Sequence, residues 1–166
     1  MAAWHDFLSL APAPPVSTEP VLLSIVELGG YPDFTAVYEQ SGYEVVKANS
    51  MRKALAVLKK QTPAVIVAEF IYGPTYGSQL SNFESLFAAL QSAAGRHTSV
   101  YTTPAVHLIA LMDKHNRQHF DKLKSRFPTH KVFYFPISAK ELKTHLAELN
   151  SGSQNPVWHK SLGIGG

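Results

Sequence analysis

The chain has 166 residues, 45% of them hydrophobic and 16% charged, which suits one domain with a real core and not a disordered polymer. It contains no cysteine, which excludes disulfides, Cys-ligated zinc and thiol nucleophiles. The formal net charge is +3, and no leader-like N-terminus or apolar run near the roughly 18 residues of a membrane span is present, so a cytoplasmic protein without membrane contact is expected.

Residues 1–20 read as a Pro-rich arm, because Ala11-Pro12-Ala13-Pro14-Pro15 forbids a helix and favours extended chain. Residues 21–150 form the expected domain. Residues 151–166, which open on Ser151-Gly152 and close on Gly165-Gly166, read as a flexible tail.

The domain scans as alternating strands and helices. A buried strand over 21–26 leads through Gly29-Gly30 to a helix over 32–40, with Phe34, Val37 and Tyr38 at helical spacing. A second strand covers 43–48. Ser50 then sits as an N-cap for a helix over 51–60, whose Ala54, Leu55 and Leu58 share a face. The third strand, 64–69, ends in Glu69, and Gly73, Pro74 and Gly77 make the following segment a loop. A helix over 82–94 carries Phe83, Leu86, Phe87 and Leu90 inward; strand four covers 105–111; a basic helix covers 116–127. Strand five covers 131–135, and Ser138 caps a last helix through Leu149. Apolar strands separated by helices call for a parallel sheet covered on both faces. The expected fold is α/β, a flavodoxin-like doubly wound sheet of order 2-1-3-4-5.

Three patterns carry a resemblance. Phe135-Pro136-Ile137-Ser138-Ala139-Lys140-Glu141-Leu142 is similar to a Lys-Pro-Phe-x-x-x-x-Leu joint from strand five into the last helix. Gly77 and Leu80 follow Glu69 at eight and eleven residues, and Ser50-Met51-Arg52-Lys53-Ala54-Leu55 matches a small residue followed by x-x-x-Ala-Leu. In these respects residues 20–150 resemble the receiver domain of two-component response regulators. The resemblance implies a phosphoacceptor Asp where this chain has Glu69, and an acidic pair for Mg²⁺ where it has Glu27-Leu28. It further implies a hydroxyl near Ile109, Ala110 or Leu111, and a lysine at Phe135. Hard divalent ions need several oxygen ligands, and a longer acceptor moves the attacking oxygen by about 1 Å, enough to cost about 10²-fold. The expectation is therefore a degenerate pseudo-receiver that is not an enzyme, with no metal and no cofactor. Glu69 is then either a solvated residue at the sheet edge or a fixed mimic of phospho-Asp.

The basic stretch 113–131 sets Lys114, Arg117, Lys122, Lys124, Arg126 and Lys131 against Asp113 and Asp121. With Phe133 and Tyr134 it marks a face on which Arg117, Lys122, Lys124 and Arg126 meet a protein partner of acidic character, or a second copy in a homodimer. Without a reader motif, nucleic acid is not expected there. His115 and His119 stand four apart without an evident third ligand, His107 reads as a hydrogen-bonded strand residue, and Ser78 and Ser81 lack a nucleophile elbow. An alternative of another class is a small-ligand-binding or enzymatic flavodoxin-like protein, with Tyr72, Tyr76 and Gln79 lining a pocket.

Overall fold

In the computed structural model, residues 18–29, 32–73, 80–96, 106–125 and 131–154 are described. The arm up to residue 17, the tail from 155, and Tyr76, Gly77, Ser78, Gln79 and Arg126 lie outside them.

Five strands, β1 (Val21–Ile25), β2 (Glu44–Ala48), β3 (Val65–Glu69), β4 (His107–Met112) and β5 (Lys131–Tyr134), form one parallel sheet in the order β2-β1-β3-β4-β5. The helices are α1 (Thr35–Gln40), α2 (Met51–Lys60), α3 (Asn82–Arg96), α4 (Arg117–Lys124) and α5 (Ala139–Gln154). This is the expected doubly wound order.

Alternation along the strands splits the core in two. Leu23, Ile25, Ile66, Ala68, Leu108 and Ala110 face α2, α3 and α4, where Phe83 and Phe120 are almost fully buried. Phe70 packs edge-on against both, at ring-centroid distances of 5.2 Å and 5.3 Å. Leu22, Val65, Val67, Ile109 and Leu111 face α1 and α5, meeting Phe34, Tyr38, Leu142 and Leu146. Strands β1, β3 and β4 are thus apolar on both sides because helices cover both.

Several boundaries differ from the sequence reading for local reasons. Helix α1 starts at Thr35, not Pro32, because the Asp33 carboxylate accepts the Thr35 N–H at 3.0 Å and its hydroxyl, holding the preceding residues in a turn. Helix α5 runs through Ser151-Gly152 to Gln154, past the expected break at residue 151. A glycine in a last turn weakens a helix without ending it, and the obligatory stop in the sequence is Asn155-Pro156. Ser50 caps α2 as expected, its hydroxyl accepting the Lys53 N–H at 3.2 Å. Gly42 closes the turn from α1 into β2 with φ +90°, and a Cβ there would stand 2.7 Å from the Asn150 amide nitrogen of α5. That amide donates to the Ser41 carbonyl at 2.9 Å and fastens α5 to the turn.

Candidate functional site

The carboxyl ends of β1, β3 and β4 meet at one edge of the sheet, where doubly wound proteins bind ligands. Strand β3 delivers Glu69 there, but the residue is only 5% exposed. Its Oε2 accepts the backbone N–H groups of Glu27 at 2.9 Å and Leu28 at 3.0 Å. The expectation of a solvated strand-end acid is therefore wrong. The extra methylene of Glu lets the carboxylate cross from β3 and cap the amides that β1 releases as it leaves the sheet, a charge-assisted bond to a segment more than forty residues away in sequence.

Glu27 is turned elsewhere. Its Oε1 accepts the N–H of Met51, the first residue of α2, and its Oε2 accepts from the Asn82 side chain at 3.5 Å. A carboxylate at a helix N-terminus also meets the positive end of the helix dipole. Asn82, fully buried, ties the set together: its Oδ1 accepts the Ile71 N–H at 2.9 Å and its Nδ2 donates to the Glu69 carbonyl at 2.6 Å. The Ser81 N–H is taken by Glu84 at 3.2 Å, the glutamate half of a capping box at the start of α3, while the buried Ser81 hydroxyl makes no hydrogen bond among the described residues. Asn82 was visible in the sequence only as a helix start; nothing in the pattern announced its buried links to Glu69 and Ile71.

The remaining positions are apolar. Ile109, Ala110 and Leu111 have no exposed surface, and Phe135 is half-buried beside the α1/α5 core, where its N–H extends the β4 ladder to the Met112 carbonyl at 3.0 Å. Leu28 is 72% exposed. These residues do not fit a Mg²⁺ ion: the two carboxylates accept hydrogen bonds from Glu27, Leu28, Met51 and Asn82, and Leu28 offers no oxygen side chain. Among the described residues no group of three or more His, Asp or Glu is placed to hold a metal.

Above this network lies a cleft of about 780 Å³ lined by Leu28, Tyr72, Phe135, Pro136 and Ile137, with Asp113 and Asn116 on its β4 side. Tyr72 bridges to Ser81 and stacks on His119 at a ring-centroid distance of 3.7 Å. His115 lies in the 3₁₀ turn Lys114–Asn116, where its N–H and ring meet Asp113. The two imidazoles therefore serve different partners and form no pair. The same hydrogen bonds hold the Asp113 carboxyl below the usual carboxylate range.

The basic face is only partly as expected. On α4, Arg117, Lys122 and Lys124 are exposed, with Asp121 pairing Lys124 at 2.9 Å and Arg117 at 3.8 Å. Phe133, expected on that face, is instead buried, packed edge-on against His145 at 5.9 Å, and Tyr134 is half-buried against the other core. Period-2 alternation in a sheet covered on both sides sends both aromatics inward. His107 is hydrogen-bonded as expected, its Nε2 lying 3.2 Å from Nε2 of His145 on α5.

No protein-family model and no curated protein sequence matches the chain. Solved structures do. The receiver domain of a Francisella response regulator, 1452, is 16% identical over 81% of this chain and 98% of its own, with a TM-score of 0.56. Chemotaxis protein CheY4 of Vibrio cholerae is 17% identical over 80% and 99%, at 0.55. The signal receiver domain of an HD domain-containing protein from Pseudomonas fluorescens Pf-5 is 13% identical over 82% and 98%, at 0.58. At these identities the likeness is one of architecture, and it shows that this chain has the receiver-domain fold of response regulators.

Proposed function

We propose that this chain is a phosphorylation-independent protein–protein interaction module in cytoplasmic signalling, without enzymatic activity. The receiver-domain fold supports a signalling role. The observation that carries the finer reading is the structural commitment of Glu69: its Oε2 caps the Glu27 and Leu28 amides and so ties the buried carboxylate to the exit of β1. Leu28 and Phe135, standing where an acid and a lysine are implied, supply neither a carboxylate for a metal nor a cation for a phosphoryl group.

The partner is a protein with an acidic surface, met by Arg117, Lys122 and Lys124 of α4, whose cations are solvent-exposed. The decisive experiment is incubation with acetyl phosphate and Mg²⁺ followed by intact mass. No adduct is expected; a gain of about 80 Da, one phosphoryl group, would overturn the reading. Sedimentation of the isolated chain separates a homodimer from a module that waits for a different partner.

A further inference from the structure

We propose that the cleft over Glu69 is a binding site for a small planar aromatic molecule that is neutral or cationic, and that it rejects phosphate-bearing ligands. The cleft holds about 780 Å³, within the range of about 300–1,000 Å³ typical of small-molecule sites. Its walls are apolar: Leu28 and Pro32 on one side, Tyr72 on a second, and Phe135, Pro136 and Ile137 on a third. One exposed leucine is unremarkable on a protein surface. Here the Leu28 N–H is pinned by Glu69 while its side chain is 72% exposed at the cleft, continuing an apolar wall. Tyr72 adds an aromatic ring braced from behind by His119, suited to offset stacking on a flat ligand.

Charge selects among flat ligands. The described lining contains Glu69 and Asp113 and no lysine or arginine. A phosphate or sulfonate would meet two acids and no lysine or arginine among the described lining residues, whereas a protonated amine would find Asp113, whose carboxyl the bonds from His115 hold below the usual carboxylate range. Backbone donors hold Glu69 Oε2 and Glu27 Oε1 in place, so these acids form a fixed, negatively charged floor to the cleft. This inference concerns the cleft and not the α4 face, so probe binding and the acetyl phosphate experiment can fail separately.

The test is a fluorescence titration of the full chain with three probes: N-phenyl-1-naphthylamine (neutral), proflavine (cationic) and 1-anilinonaphthalene-8-sulfonate (anionic). Saturable one-to-one binding of the first two is expected, with the anion at least about tenfold weaker. Leu28→Ser, at an exposed position, should weaken both good probes by about three- to tenfold with an unchanged melting temperature. Asp113→Asn should weaken proflavine alone, since Asn still caps the turn. Equal binding of the anion, indifference to both substitutions, or no saturation of the wild-type chain up to about 1 mM probe would each overturn the proposal.

Discussion

The Glu69 network and helix α4 are two concentrations of charge built on opposite rules. At the network, Glu69 is 5% exposed and its oxygen is fixed by backbone donors 41 and 42 residues away in sequence. On α4, the side chains of Arg117 and Lys124 are 69% and 56% exposed and, among the described residues, pair with Asp121, three or four residues along the same helix. Buried charge with several donors fixes geometry, and its removal strands the donors. Exposed charge in water contributes little to stability and acts at a distance on whatever approaches. The difference ties the first region to holding the sheet edge together and leaves the second available for the association proposed above.

The largest expected effect tests the first half of that contrast. Glu69→Ala leaves the Glu27 and Leu28 amides without their acceptor and should lower unfolding stability by about 3 kcal/mol, read from the urea midpoint at constant slope. Asn82→Ala, which frees the Ile71 N–H and the Glu69 carbonyl, should lose about 2 kcal/mol. Glu69→Asp is the sharper experiment, because it installs the residue that the receiver resemblance implies. The shorter side chain cannot span to both amides, so a loss of about 1–2 kcal/mol is expected, with no phosphorylation gained in return. A neutral or stabilising Glu69→Asp would break the view that the extra methylene serves the amide cap.

For the second region the expectations reverse. Arg117→Glu with Lys122→Glu should leave stability within about 0.5 kcal/mol while slowing association with an acidic partner about tenfold and flattening its salt dependence. Unchanged association kinetics would remove α4 as the docking face. The smallest effect belongs to Asp33, whose carboxyl is held down to about 2 by the Thr35 hydroxyl and amide and by Lys47. Its folded pKa lies below the ordinary 3.8, so the stabilisation is present above pH 4 and is lost as pH falls toward 2. Asp33→Asn should therefore lower stability slightly at pH 7, where that contribution is fully present, and flatten the acid limb over that window.

Much of the scaffold was legible beforehand. Five apolar runs punctuated by glycine, Ser50 before an amphipathic stretch, and the Pro136–Leu142 joint sufficed for the succession of strands and helices, because each depends on neighbours within a few residues, and the doubly wound pattern then implied the sheet order. So were the departures at Leu28 and Phe135, which are read from residue identity alone. The face behind α4 was misjudged at Phe133 because a short edge strand shows the same alternation whether or not a helix covers its outer side. Here α5 covers it, and His145 closes on the ring.

The sequence by itself determined the order of elements, their periodicity and where residues depart from the receiver pattern, since these follow from local propensity and side-chain type. Only the tertiary structure decided where the surviving carboxylates point. Glu69 reaches amides on β1's exit, Glu27 reaches the first turn of α2, and Asn82 joins them from α3. Such bonds link residues tens of positions apart with no period to betray them. They form because a sheet edge brings unpaired backbone donors of several segments together, and the nearest acceptors long enough to reach them are taken.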